Sequence, residues 1–360
     1  MFLAVGTGVV LAFHHIRLKF FPVIGICIIF AWILIVITML WGPEINGTSR
    51  WINLGSFGFQ PSEVAKLCLI VFTASNLSQK KTKEDDKRIF LRILIATVVT
   101  CILIGIDNGS TALLLFGIII VMMFIGQISW KRLGLLLAGL VVAVGLLGTI
   151  MFTVPEKMLM KSKLTVRMVT WKHRIMEHRN EVSVTDPAFE INDDNFQSAH
   201  GYIAIANGKI LGRFPGHSTE RDVLPQAYSD FIYAIIIEEM GLILGGLGVL
   251  LLYVILFIRS GIIAKQSKKN FSKYVVIGCS LMLVLQALAN MAVAVGIIPV
   301  TGQPMPLMSS GGTSTLITCV YFGIILSVSR FDNPKGLARE QEIEAKLKEE
   351  KERKNEKPYY

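Results

Sequence analysis

Leu224-Pro225-Gln226-Ala227-Tyr228-Ser229-Asp230-Phe231-Ile232-Tyr233-Ala234-Ile235-Ile236-Ile237-Glu238-Glu239-Met240-Gly241 is the stretch whose reading decides the fold. One acid stands at the mouth of an apolar helix, and two more stand about two turns inside it. A carboxylate at membrane depth costs several kcal/mol unless it is paired or faces a polar cavity, so all three acids are candidate functional groups. The polar segment 155–228, longest of those between hydrophobic blocks, leads directly into this helix. An acid where a large loop meets a bilayer suits chemistry on a substrate that is part lipid and part water-soluble.

Outward from this stretch the same apolar character recurs. Hydrophobic residues make up 52% of the 360, and runs near the twenty-residue spanning length follow one another. Nine spans are expected: Phe2–Phe13, Phe20–Trp41, Ser62–Ser78, Ile89–Ile106, Ala112–Gln127, Leu133–Val154, Ser229–Ile258, Tyr274–Gly296 and Gly311–Val328. The fold class is therefore an all-α polytopic membrane protein with one large extracytoplasmic loop. A β-barrel would alternate apolar and polar residues in short strands, which this chain does not do.

The net charge of +10 matters through its placement. Arg17 and Lys19, the Lys80–Arg88 group, Lys131 and Arg132, and the Arg259–Lys273 group fall on one set of connectors. The other short connectors hold only Arg50. The positive-inside rule places the first set and the tail in the cytoplasm and loop 155–228 outside. Segment 1–330 forms one transmembrane domain, and 331–360 a charged cytoplasmic tail. No basic soluble domain is present for nucleic acid. Cys27, Cys68, Cys101, Cys279 and Cys319 are scattered through apolar runs, without metal-ligand spacing or a disulfide framework. No carboxylate cluster has evident ligand spacing either, so no cofactor is expected and a divalent cation stays open.

Within the long loop, Glu156–Arg179 interleaves basic and apolar residues and reads as an amphipathic helix on the membrane surface. Glu181–Asp194 is acidic and irregular. Asp230 falls in the first turn of the seventh span, with Ser229 as a potential cap; a structural acid at a helix start and a catalytic one weigh equally here. Glu238 and Glu239 project about 100° apart and read as packing or gating groups. Glu63 and Lys66, at i,i+3 behind Pro61, share one helix face and read as an internal ion pair. Ile298–Ser314 is a Pro- and Gly-rich connector of re-entrant look, tolerated near a membrane only where protein or water satisfies its backbone.

These motifs together resemble the SEDS family (shape, elongation, division and sporulation proteins). The resemblance runs from Phe2 to about Asn333. It rests on Asn46-Gly47-Thr48-Ser49-Arg50-Trp51-Ile52 leading to Gln60-Pro61-Ser62-Glu63 and Lys66, on Ser110-Thr111-Ala112, on Ile203–Gly208, on the Asp230 segment, and on Pro299-Val300-Thr301-Gly302 through Gly311-Gly312. The pattern Pro215-Gly216-His217-Ser218 followed by Leu224-Pro225 is similar to the division members. The family has ten spans, and this chain begins where its second lies, so the first is expected to be missing. The family's Pro-Asp-Leu-Gly-Thr reads here as Ile106-Asp107-Asn108-Gly109-Ser110, so no role transfers to Asp107.

The resemblance implies a peptidoglycan glycosyltransferase that polymerises lipid II at the outer face of the bacterial cytoplasmic membrane during division. It makes Asp230 the catalytic carboxylate, a general base for an acceptor sugar 4-hydroxyl. Arg50, Lys209, Arg213, Arg221 and Ser218 become the candidates that bind substrate, Arg213 and Arg221 foremost among the cations at the leaving pyrophosphate. The implied partners are a class B penicillin-binding transpeptidase and other divisome membrane proteins. Two other readings compete: a lipid II flippase with Glu63, Lys66, Glu238 and Glu239 along its route, and a truncated, inactive scaffold.

Overall fold

The computed structural model describes residues 2–43, 50–54, 57–80, 82, 84–159, 163–180, 191–192, 195–225 and 227–332. Most of the acidic run 181–194, the residues Asn46–Ser49 and the tail from 333 lie outside the described residues.

Each apolar run lies on helix. The elements are α1 (Phe2–His15), α2 (Pro22–Ile26), α3 (Ile28–Trp41), a hairpin of β1 (Ile52–Leu54) and β2 (Phe57–Phe59), α4 (Pro61–Ser78), α5 (Asp85–Gly105), α6 (Gly109–Ile125) and α7 (Trp130–Thr153). The long loop contributes α8 (Glu156–Leu159), α9 (Lys163–Asn180) and α10 (Phe196–Gly208). Then come α11 (Ile232–Gly241), a π-helical turn (Leu242–Gly248), α12 (Val249–Gln266), α13 (Asn270–Ala294) and α14 (Gly312–Phe331). The chain is thus a multi-pass all-α membrane protein.

Among the described residues, five helices are long and apolar enough to cross a membrane, or six if the bent pair Ala4–His15 and Leu18–Ile26 is one span. The expected count of nine differs for physical reasons. α3 and α6 are apolar but short, and α4 carries Glu63 and Lys66. The expected single run Phe20–Trp41 is broken at Cys27, between α2 and α3.

α4 and α13 form the centre. Leu69, Ile70, Val275, Val276 and Cys279 are fully enclosed there, beside Leu115 and Ile118 of α6 and Ile324 of α14. Glycine lets these helices close up, since a Cβ on Gly278 would strike Ile70 and Met122. α7 is the opposite case, with most of its length facing outward. Polar ties secure the ends: the buried Asp332 carboxylate accepts from the Lys269 amide at 3.1 Å, and Asp86 meets Lys80 at 2.8 Å and also Arg132.

The seventh run holds the largest departure from expectation. By length and composition 232–266 counts as one apolar helix of 35 residues. Yet the Tyr233 hydroxyl donates to the Gly246 carbonyl at 3.0 Å. Thirteen residues of straight helix would separate their backbones by about 20 Å. A Cβ on Gly245 would likewise press on the Ile236 carbonyl. The chain therefore reverses at Gly241, whose φ of +77° lies where only glycine is at ease. α11 is the short ascending arm of a helical hairpin, and 242–266 is the long arm, about 37 Å at 1.5 Å per residue. That length suits a bilayer about 30 Å thick in its hydrocarbon.

Candidate functional site

Asp230 stands two residues before α11, in a turn, and not in its first helical turn. Ser229 is no cap either: its hydroxyl donates to Asp230 Oδ1 at 3.0 Å. The backbone around the acid is held at three successive carbonyls. Tyr228 O accepts from the Ser310 amide at 2.8 Å, Ser229 O from the Ser309 hydroxyl at 2.7 Å, and Asp230 O from Asn290 Nδ2 at 2.9 Å. The second carboxylate oxygen lies 3.6 Å from where a Cβ on Gly302 would sit, and Gly302 has φ +66°. A side chain there would be strained by the backbone, and its first carbon would touch the acid.

The same residues explain how the connector 297–311 stays non-helical beside the membrane. Arg174 donates to Val300 O at 2.9 Å, Asn290 to Gln303 O at 2.8 Å, Gln286 to Pro304 O at 2.9 Å, and the Tyr253 hydroxyl to Pro306 O. Side chains of α9, α12 and α13 thus satisfy carbonyls that would be costly if left bare. Gln303 then passes its own amide to Thr111 Oγ1 at 2.5 Å. A chain of hydrogen bonds runs Asp230–Asn290–Gln303–Thr111 and ends in a neighbouring cleft.

That cleft opens to solvent and is lined by Arg50, Gln60, Ser62, Asp107, Asn108 and Thr111 among others. Asp107, to which the family resemblance transfers no role, lines it together with Arg50. Burial pushes the Asp230 carboxyl above the usual carboxylate range. The Ser229 hydroxyl and then the positive charges of Arg174 and Arg50 pull the other way, and burial prevails.

The remaining candidates gather elsewhere. Glu238 is fully buried, about 9 Å along the α11 axis from Ile232. It accepts from the Ser218 hydroxyl, the Thr219 amide at 3.2 Å and hydroxyl at 2.9 Å, the Glu220 amide at 3.3 Å and Asn207 at 3.4 Å. Arg213 lies 3.8 Å from it and donates to Thr219 Oγ1 at 3.0 Å. Ser218 and Arg213, expected at the substrate, are therefore engaged in fastening the long loop to α11, because a buried carboxylate needs that many donors. Arg221 turns to Asp222 at 3.2 Å, and the Lys209 side chain is exposed. Glu239 is half-buried next to the clamp. Lys66 Nζ is 2.7 Å from Glu63 Oε1, both buried in α4.

Sequence reasoning did not single out Arg174, Asn290 or Gln303. Arg174 is one of several cations on α9, and nothing in the spacing separates it from its neighbours. What places it is docking: the Trp171 ring lies over Gly109, where a Cβ would collide with it. α9 is thereby held against the start of α6 with Arg174 turned to the connector. Thr111 belongs to a motif already quoted, but its partner lies 192 residues away.

Among the described residues no group of three or more His, Cys, Asp or Glu could hold a metal ion.

Residues 1–334 match the family of FtsW, RodA and SpoVE, described as cell cycle proteins. A probable peptidoglycan glycosyltransferase FtsW of Marinobacter nauticus is 33% identical over 303 residues, covering 82% of this chain and 69% of that one. The protein of the same name from Nitrosococcus halophilus is 30% identical, covering 91% and 81%. With that of Pseudomonas fluorescens the figures are 29%, 80% and 66%, so this chain spans about two thirds of that relative's length. Among solved structures, a chain of a peptidoglycan synthase complex, reported for its coordination of polymerization and crosslinking, aligns with a TM-score of 0.69 at 23% identity over 92% of this chain and 88% of that one. The rod shape determining protein RodA of Thermus thermophilus aligns at 0.62 and 22%, over 92% and 86%. At such identities the two structures speak for the fold alone.

Proposed function

Because this chain belongs to the family of FtsW, RodA and SpoVE cell cycle proteins, we propose that it is a peptidoglycan glycosyltransferase that polymerises lipid II. The observation that carries the reading is the Asp230 carboxylate, fixed through three backbone carbonyls beside a cleft that contains Arg50. Relatives named for this activity support it.

In the reaction the acceptor sugar's 4-hydroxyl loses its proton to Asp230 while its oxygen bonds to the anomeric carbon of the donor. The bond from that carbon to the lipid pyrophosphate breaks, and the pyrophosphate leaves with the electron pair. A positioned carboxylate contributes about 10²- to 10⁴-fold as such a base. A raised proton affinity suits the task, since the base must hold the proton it accepts. Arg50 and Arg174, whose charges already act on Asp230, are placed to stabilise the departing pyrophosphate. One displacement inverts the anomeric centre and needs no covalent enzyme intermediate. The active face is extracytoplasmic and the tail cytoplasmic in this reading, and the partner is a transpeptidase that cross-links the nascent strand, supported by the synthase complex whose chain shares this fold.

The flippase reading rests on Glu63, Lys66, Glu238 and Glu239 as a polar route. Glu63 and Lys66 bond each other, and Glu238 is spent on the loop, which favours the enzyme. Proteoliposomes loaded with lipid II separate the two: glycan strands without a change in leaflet distribution support polymerisation, and translocation without strands refutes it.

A further inference from the structure

The turn 209–214 carries three apolar side chains that the protein leaves open: Ile210 is 61% exposed, Leu211 81% and Phe214 74%. This is no loosely held tip. Lys209 and Phe214 have φ of +47° and +72°, and Gly212 of +80°. The turn is locked by backbone bonds to the hairpin reversal: Leu242 N to Lys209 O at 3.0 Å, Ile243 N to Ile210 O at 3.4 Å, and Arg213 N to Glu238 O at 2.9 Å. A Cβ on Gly212 would strike Glu239 O and one on Gly241 would strike Ile210 O, so the two strands of chain lie in contact. A rigid backbone that displays three large apolar side chains has been built for something that covers them.

The long hairpin arm supplies the level at which they stand. Its outward face is apolar from Ile243 (52% exposed) through Leu251 and Ile255 to Ile262 (41%). Nineteen residues at 1.5 Å give about 29 Å, the thickness of bilayer hydrocarbon. Ile210 is bonded to Ile243, so the turn lies at the upper edge of this band, at the end away from Lys265, Lys268 and Lys269. Lys209 and Arg213, both exposed, flank the apolar side chains.

We propose that turn 209–214 docks into the outer leaflet, with Ile210, Leu211 and Phe214 in the acyl boundary and Lys209 at the lipid phosphates. Apolar side chains beside a cation bind such an interface, and the surface is continuous with the exposed apolar face of α12. Through Glu238 and α11 the turn then fixes the height of the long loop over the membrane. It takes lipid as a surface, not as substrate, and stands whether or not Asp230 is a base.

The test uses the full chain in bilayers of phosphatidylethanolamine and phosphatidylglycerol, with Leu211→Cys carrying a nitroxide in a Cys27→Ser background. The same protein without Leu211→Cys provides the subtraction for the other native cysteines. Accessibility to oxygen above that to a water-soluble nickel chelate, with the same result at Phe214→Cys, is the expected outcome. Higher accessibility to the chelate would place the turn in water and overturn the proposal. Immobilisation with low access to both would mean that protein covers it, which also overturns it. A Leu211→Ser, Phe214→Ser variant that keeps its thermal transition should show faster amide exchange over 209–220 in bilayers; unchanged exchange there counts against docking.

Discussion

Replacing Glu238 by alanine removes the acceptor on which loop residues 218–220 close, and the cost can be worked from its partners. Thr219 is exposed, so its amide and hydroxyl find water once the carboxylate is gone. The Ser218 hydroxyl and the Glu220 amide belong to residues only 6% and 8% exposed. Each buried donor stranded in this way costs about 1–3 kcal/mol. Local opening of 218–224 should therefore become easier by about 2–6 kcal/mol, or about 30- to 20,000-fold at tenfold per 1.4 kcal/mol. Amide exchange followed by mass spectrometry on protein in detergent or nanodiscs reads this directly. The peptide over 218–224 should exchange faster by that factor, while peptides of α4 and α13 stay unchanged. Glu238→Gln should fall between, since its amide nitrogen turns donor against donor. Unchanged exchange at 218–224 in Glu238→Ala would refute the clamp.

Other consequences follow from single contacts. Asn290→Leu frees the Asp230 and Gln303 carbonyls and should lower polymerisation about a hundredfold, the scale of a 1 Å misplacement, with substrate KM nearly unchanged; a loss confined to KM would assign Asn290 to binding. Lys66→Met strands the buried Glu63 charge and should destabilise the chain by about 3–5 kcal/mol, seen as a lower melting temperature. Adding Glu63→Gln should recover most of that loss, and no recovery would mean the pair is not the cause. For pH, the base works ionised and burial raises its proton affinity, so activity should fall as pH drops through a midpoint above the usual aspartate value. Arg174 favours the ionised form, so Arg174→Met should move that midpoint upward; a downward move would contradict the placement of this cation.

What could be read from sequence and what could not divides along distance in the chain. Apolar runs declared the helices, because burial in lipid or protein needs nothing beyond local composition. Glu63 and Lys66 could be paired on paper, since i,i+3 spacing fixes their geometry within one helix. The reversal at Gly241 was hidden in Met240-Gly241-Leu242-Ile243-Leu244-Gly245-Gly246, an unbroken apolar run without proline. The contacts of Tyr233 with Gly246 and of Ile236 with Gly245 reveal it. That reversal changes the meaning of Glu238, from an acid deep in a span to the keystone of a loop. Arg174 and Asn290 were illegible for the same reason: their partners Val300 and Asp230 lie 126 and 60 residues away. Asp230 itself was legible because an acid at the end of a long loop and the start of an apolar run stands out on composition alone.

The central claim is that the Asp230 carboxylate accepts the proton in glycan polymerisation, and Asp230→Asn tests it most directly. The amide keeps the shape and can still accept from Ser229, but it cannot act as a base. With purified, folded protein and lipid II in saturating supply, strand formation should drop by about 10²- to 10⁴-fold while lipid II binding persists. Strand formation at the unmodified rate would contradict the account.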